Sequence, residues 1–205
     1  LFHSAGVPTP YGTHISRRDK DISLEALQIP LPLVVKPCSG GSSIGVHFAH
    51  TEEEFREAMR LSFEKEDEVV IEPFIDGREY ACGIFDGKAL PLVEIIPDGG
   101  VFDYVHKYQS GGASEICPAT SVDKETTEAI QKTGVLAAEA LRLNVYCRAD
   151  FIVDNHTGRF YCLEVNSLPG MTNASLLPKA AKAAGYEYGE FCEQIIEKSM
   201  DARYR

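Results

Sequence analysis

Cys147-Arg148-Ala149-Asp150-Phe151-Ile152-Val153, then Asp154-Asn155-His156-Thr157-Gly158, then Arg159-Phe160-Tyr161-Cys162-Leu163-Glu164-Val165-Asn166, reads as two apolar runs joined by a polar turn. Such a pattern predicts strands over Cys147–Val153 and Arg159–Val165, paired as a hairpin. Side chains of a strand alternate faces, so Arg148 and Asp150 share one face. Glu164 and Asn166 share a face on the partner strand. The turn length places Asp150 within a residue or two of Glu164. Two carboxylates and an amide gathered on one face of an apolar hairpin repel one another without a cation. Oxygen-rich groups of this kind suit Mg²⁺, which takes one or two carboxylates plus phosphate oxygens and water. Arg148 adds a planar, permanently charged fork for phosphate or carboxylate. The same spacing also fits a surface-facing hairpin side carrying an Arg–carboxylate salt bridge, and the two readings stay open at this point.

Outward from the hairpin, the chain mixes hairpins with helices, which predicts α+β rather than doubly wound α/β. Upstream, Ser23–Leu27 is a short helical candidate and Leu31–Val35 an apolar strand. Ser39-Gly40-Gly41-Ser42-Ser43 forms a loop before a second short strand near Gly45–Phe48. Thr51 opens a helix with Glu54 three residues on, a capping box, and Phe55, Met59 and Phe63 supply its buried face. Strands follow at Glu68–Phe74, Arg78–Phe85 and Lys88–Ile96, the last two joined by Asp86-Gly87, a tight-hairpin signal. Pro97 to Ser121 carries little periodic pattern, and a loop that long in a compact domain is commonly functional. Asp123–Leu143 is predicted helical, with Ile130, Ala137 and Leu141 on one side. After a loop at Gly170-Met171-Thr172-Asn173, two helices close the chain: one around Pro178–Ala184 stopped by Gly185, and one around Tyr188–Met200 with Phe191, Ile195 and Ile196 inward.

The bulk numbers exclude several classes. With 205 residues, 44% apolar and 25% charged, the composition is that of a globular protein. No stretch approaches the roughly 18 uninterrupted apolar residues of a membrane helix. A net charge of −11 and the lack of a dense Lys/Arg run exclude a nucleic-acid partner. Cys38, Cys82, Cys117, Cys147, Cys162 and Cys192 include no C-x-x-C pair, so they read as mostly buried thiols in a reducing cytoplasm rather than a zinc site.

Glycines at 40, 41 and 45 would let backbone N–H groups approach a phosphate, with Ser42 and Ser43 adding hydroxyls and Lys36 reaching the same anion. The loop is neither a Walker A motif nor a dinucleotide fingerprint. Gly41-Ser42-Ser43-Ile44-Gly45 does match G-x-S-x-G, which would make Ser43 a nucleophile with His106 or His156 as base. That elbow requires a helix directly after the serine, whereas a strand is predicted there. His47 and His50 face opposite ways and do not form a metal pair. Glu72 and Glu79 flank the strand end at Pro73-Phe74-Ile75, where an acidic residue suits an adenine amino group or ribose hydroxyls.

Taken together, Leu33-Val34-Val35-Lys36-Pro37, Gly41–Gly45, Glu72-Pro73-Phe74-Ile75, Asp103-Tyr104-Val105-His106-Lys107-Tyr108, Arg148-Ala149-Asp150 and Glu164-Val165-Asn166-Ser167-Leu168-Pro169-Gly170-Met171-Thr172 closely resemble the D-alanine–D-alanine ligase family. The resemblance implies an ATP-grasp fold of two α+β subdomains with mostly antiparallel sheets, at 1–78 and 79–205. It implies that Lys36 holds an ATP phosphate and that Ser42 and Ser43 lie on the loop closing over the phosphates. Glu72 and the backbone at Phe74 and Ile75 would face adenine, and Glu79 the ribose. Lys107 would contact the γ-phosphate, and Tyr108 would help shut the site. Asp150, Glu164 and Asn166 would bind Mg²⁺, or Mn²⁺ in its place. Arg148 and the Gly170 N–H would stabilise the oxyanion, and Ser175 and Leu176 would position the second D-alanine.

The implied reaction is ATP-dependent joining of two D-alanines through an acyl phosphate, in the cytoplasm, for peptidoglycan. The long Pro97–Ser121 loop would exclude water from the intermediate. D-lactate or D-serine as second substrate, and a nucleotide-binding module without catalysis, are the competing readings. Family members carry an N-terminal domain and a lysine just before the position of Leu1. Neither is in this sequence, so these residues alone are expected to lack ligase activity. A homodimer is expected at full length. Gly40 and Ser167 depart mildly from the family pattern.

Overall fold

The structure is a computed structural model, and it describes residues 1–19, 21–39, 44–97 and 113–203. These fall into two compact units. One is Pro10–Ile75. The other joins Leu1–Thr9 to the described residues from Asp76 onward.

The Pro10–Ile75 unit is a four-stranded antiparallel sheet with a helix on one face. Its strands are β1 (Thr13–Ser16), β2 (Leu33–Pro37), β3 (His47–Ala49) and β4 (Glu68–Pro73), in spatial order β1-β4-β2-β3. Helix α1 (Leu24–Leu27) is capped by Ser23, whose hydroxyl accepts from Ala26 N–H. Helix α2 (Glu52–Lys65) is capped by Thr51, whose hydroxyl accepts from Glu54 N–H at 3.2 Å. The Glu54 carboxylate reaches past the cap residue to His50 N–H at 2.6 Å, so the capping box closes one residue early. Leu33, Val35, Val69 and Ile71 alternate inward and pack against Phe55, Ala58, Met59 and Phe63 of α2. Burying each such large side chain contributes about 1.5–3 kcal/mol, so tertiary packing holds a helix too short for stability of its own. The opposite sheet face carries Val34, Lys36, Val70 and Glu72, paired Val34↔Glu72 and Lys36↔Val70.

The second unit is built on a six-stranded antiparallel sheet: β5 (Gly77–Phe85), β6 (Lys88–Ala89), β7 (Val93–Pro97), β8 (Ala113–Ile116), β9 (Tyr146–Asp154) and β10 (Phe160–Asn166). The order is β10-β9-β5-β7-β8, with β6 beside β5. Helix α3 (Lys124–Ala140), capped by Asp123, covers one face. There Ile130, Ala137 and Ala138 meet Cys82, Ile84, Cys147, Ala149, Phe151 and Cys162. Helices α4 (Leu176–Ala183) and α5 (Tyr188–Arg203) cover the other, where Leu177, Ala180, Ala181, Phe191 and Ile195 meet Ala81, Phe85 and Val93. Strand β5 is therefore apolar on both sides. Asp86 and Gly87 both take positive φ, 48° and 73°, the geometry that a tight hairpin demands.

The architecture is the α+β arrangement expected, with corrections of detail. The predicted strand Lys88–Ile96 is two strands: Leu90 N–H still donates to Gly83 O at 2.7 Å, and the ladder breaks at Pro91, which has no N–H to donate. The predicted helix Asp123–Leu143 ends at Ala140, and Leu141 is its cap at φ −95°. Ile196, predicted inward, is 60% exposed, since Phe191 and Ile195 fill the helix-to-sheet space. Strands β1 and β8 were not predicted, and β8 lies within the stretch read as patternless.

Candidate active site

The β9–β10 hairpin aligns Arg148↔Asn166 and Asp150↔Glu164. An irregularity in the ladder makes this possible. Phe151 opposes Cys162, and Asp150 then opposes Glu164, so Leu163 is an extra residue in β10. Without that bulge Glu164 would oppose Ala149 and turn into the apolar face beneath α3. The bulge re-aims it, as bulges beside functional sites do.

On the resulting face, the Arg148 guanidinium grips Asp150 in a fork. Its Nε donates to Oδ1 and its Nη2 to Oδ2, each at 2.7 Å. Asn166 Nδ2 donates to Asp150 Oδ2 and to Glu164 Oε1, each at 3.0 Å. The amide therefore sits between two carboxylates, where a positive charge is wanted. A half-turn of the amide would present its oxygen instead and complete an all-oxygen set. Arg148 and Asp150 are half-buried, while Glu164 is exposed. Burial pushes the Asp150 carboxyl up to about 6, Arg148 opposes that rise, and Glu164 and Glu79 add to it. The carboxylates of Asp150, Glu164 and Glu79 thus act on one another beside the Arg148 guanidinium. Among the described residues no three His, Cys, Asp or Glu side chains form a metal cluster. The set here is two carboxylates and an amide, which fits a hard cation that keeps phosphate or water ligands.

Beyond β10, a turn leads into α4. Ser175 caps that helix by position, and a Cβ on Gly170 would lie 2.9 Å from the Ser175 hydroxyl. Glu79 pairs with Ile152 in the ladder, two residues along from Ala81↔Asp150 and on the same face. Two groups here were not singled out in the sequence. Glu115 on β8 and Lys179 on α4 form an ion pair. Burial lowers the Arg148 pKa, but the hydrogen bonds and charge of Asp150 outweigh that, with Glu164 and then Glu115 adding to the rise. The alternation Ser114-Glu115-Ile116-Cys117 was the available signal. Glu94, inside the apolar run Leu92–Ile96, is buried and accepts from Ser121 N–H at 3.3 Å and Thr120 N–H at 3.4 Å, a structural anchor.

In the Pro10–Ile75 unit, Lys36 Nζ lies 2.6 Å from Glu72 Oε2. The two are diagonal neighbours on β2 and β4. Phe74 N–H donates to Pro32 O at 2.9 Å, so an adenine contact by that N–H would have to break this bond. Ile75 is half-buried. Ser42, Ser43, Lys107 and Tyr108 lie outside the described residues. The stretch after Gly45 is β3, paired with β2, so the strand–serine–helix elbow of a hydrolase is not formed. His156, in the β9–β10 turn, lies 3.2 Å from Asp76, just before β5. The cysteines are all free, but only Cys82, Cys147 and Cys162 are buried; Cys117 and Cys192 are half-buried and Cys38 is exposed.

Comparison with known proteins fits this geometry. The family described as D-ala D-ala ligase C-terminus matches residues 1–197. A D-alanine–D-alanine ligase of Methylacidiphilum infernorum is 41% identical over 202 residues, 97% of this chain and 63% of the relative. The solved structure of a Bacillus anthracis D-alanine–D-alanine ligase complexed with ATP superposes with a TM-score of 0.84 at 36% identity, over 99% of this chain and 64% of that one. The VanG D-Ala:D-Ser ligase of Enterococcus faecalis gives 0.83 at 27% identity, over 95% of this chain and 58% of that one. This chain thus spans less than two thirds of each of these relatives. The fold is the ATP-grasp fold of these ligases, and the chain belongs to the D-alanine–D-alanine ligase family, matching its C-terminal part.

Proposed function

We propose that this chain carries the ATP-handling and bond-forming part of a ligase that joins two D-alanines, with ATP cleaved to ADP and phosphate, for peptidoglycan in the cytoplasm. The observation that supports it most is the bulge-built cluster of Arg148, Asp150, Glu164 and Asn166 in a chain of this family. The ATP complex of the Bacillus anthracis relative supports the nucleotide. The curated relatives at 41–42% identity named as D-alanine–D-alanine ligases support D-alanine as acceptor. Among the described residues no helix is long and apolar enough to cross a membrane.

In the Pro10–Ile75 unit, Lys36 would leave Glu72 for an ATP phosphate, and Glu72 and the Phe74-Ile75 backbone would turn to adenine. In the other unit, Glu79 would meet the ribose, and Asp150, Glu164 and Asn166 would hold Mg²⁺ or Mn²⁺. When bound, that ion supplies charge neutralisation for the phosphates. Ser42, Ser43 and Lys107 would complete the phosphate shell, and Tyr108 would help shut the site. The first D-alanine's carboxylate attacks the γ-phosphoryl group in line, releasing ADP and leaving an acyl phosphate. The amine of the second D-alanine, placed by Ser175 and Leu176, attacks that carbonyl, and phosphate departs. Arg148 and the Gly170 N–H meet the negative charge that grows on the carbonyl oxygen. Losing one such donor costs on the order of 10²–10³ in rate in other enzymes. A homodimer is the proposed assembly.

The test is phosphate release from ATP by a protein extended to its relatives' length, with D-alanine, L-alanine or D-lactate added. Release should require D-alanine, and the 205 residues alone should release none. Release independent of any D-amino acid removes the ligase reading.

A further inference from the structure

Between β10 and α4, one peptide group is gripped at both poles. The Tyr188 hydroxyl, from the first residue of α5, donates to Met171 O at 2.6 Å. The N–H of the same peptide group, on Thr172, donates to Ser175 Oγ at 3.0 Å. The C=O and N–H of a trans peptide point in opposite directions, so two such bonds fix the rotation of its plane. Donation to the carbonyl also polarises the peptide and strengthens its N–H as a donor. Ser175 stands at the N-cap of α4, yet its hydroxyl makes no cap bond. It turns back to the loop instead, 2.9 Å from Thr172 Oγ1. Ser175 Oγ accepts from Thr172 N–H, and that bond together with the contact to Thr172 Oγ1 fixes where the hydroxyl sits.

We propose that Tyr188 is a positioning residue for the acceptor amino acid, acting through the Met171–Thr172 peptide on the Ser175 hydroxyl. The role rests on the ligase function above, in which Ser175 meets the second D-alanine, and extends it to a residue one helix away. A purely structural role fits Tyr188 poorly. The residue is 40% exposed, and Phe191 and Ile195 already fasten α5 to the sheet.

Tyr188→Phe keeps the ring and removes the hydroxyl. In a protein of its relatives' length, the KM for the acceptor D-alanine should rise on the order of tenfold, the worth of one hydrogen bond, with the KM for ATP unchanged. In the 205-residue chain itself, hydrogen exchange at the Thr172 amide should quicken while the sheet amides keep their rates. Because Tyr188 acts through Ser175, the substitution should have no further effect in a Ser175→Ala background. An acceptor KM within about twofold of wild type, additive effects of the two substitutions, or unaltered exchange at Thr172 overturns the positioning role. A wild-type protein that releases phosphate without D-alanine overturns instead the function on which it rests.

Discussion

Cys82, Cys147 and Cys162 show what burial does to single side chains. All three lie under α3 on the face of the sheet opposite Asp150. Desolvation pushes the Cys147 thiol up to about 11 and the Cys162 thiol up to about 12, and Cys82 higher still. A thiol reacts as its thiolate, so a raised value keeps these groups protonated and inert from neutral pH to well above 8. Burial and the nearby Glu66 and Glu68 also raise the Cys38 thiol, but that residue is exposed, so a disulfide-exchange reagent at pH 8 should label Cys38 slowly and leave these three untouched until the protein is unfolded; labelling of Cys147 in the native protein as fast as that of Cys38 would show that face to be open. The residue scale was also where the sequence was most legible. Arg148, Asp150, Glu164 and Asn166 were found because charged and amide groups recur at period two in apolar strands. Glu115 and Lys179 were missed because their meaning depends on a pairing between distant segments.

At the scale of elements, periodicity found α2, α3 and the central strands. It failed where pairing overrides local pattern. Strand β1 has only Ile15 as a buried apolar residue and forms because β4 offers it a ladder, Thr13↔Ile71 to Ser16↔Glu68. The bulge at Leu163 was equally hidden, since alternation alone places Glu164 and Asn166 on a common face but does not say which one. Close packing of β5 on β9 gives a direct test. A Cβ at Gly77 would lie 2.5 Å from Val153 O, a backbone atom that cannot step aside. Gly77→Ala should cost about 1–3 kcal/mol through overpacking. At Gly189 in α5 an added Cβ meets nothing within 4 Å, so Gly189→Ala should be neutral or stabilise by up to about 1 kcal/mol. Urea unfolding distinguishes them, and equal midpoints for the two variants would mean that β5 and β9 are not packed as described.

For the molecule as a whole, the α+β class and the antiparallel sheets follow from the order of hairpins and helices, whereas the unit boundaries do not. Contacts assign Leu1–Thr9 to the unit that begins again at Asp76, because Val7 packs with the core under α3 and Pro8 O accepts from Cys162 N–H at 2.8 Å. Long-range contacts of this kind leave no periodic trace in a sequence. The account depends on one convergence, that of Asp150, Glu164 and Asn166 on a divalent cation beside Arg148. Electron paramagnetic resonance of Mn²⁺ titrated into the protein with ADP measures it most directly. A bound-ion signal is expected for the wild type, with strong weakening in a Glu164→Gln, Asn166→Ala double variant that still folds. The same bound signal in both proteins would contradict the account.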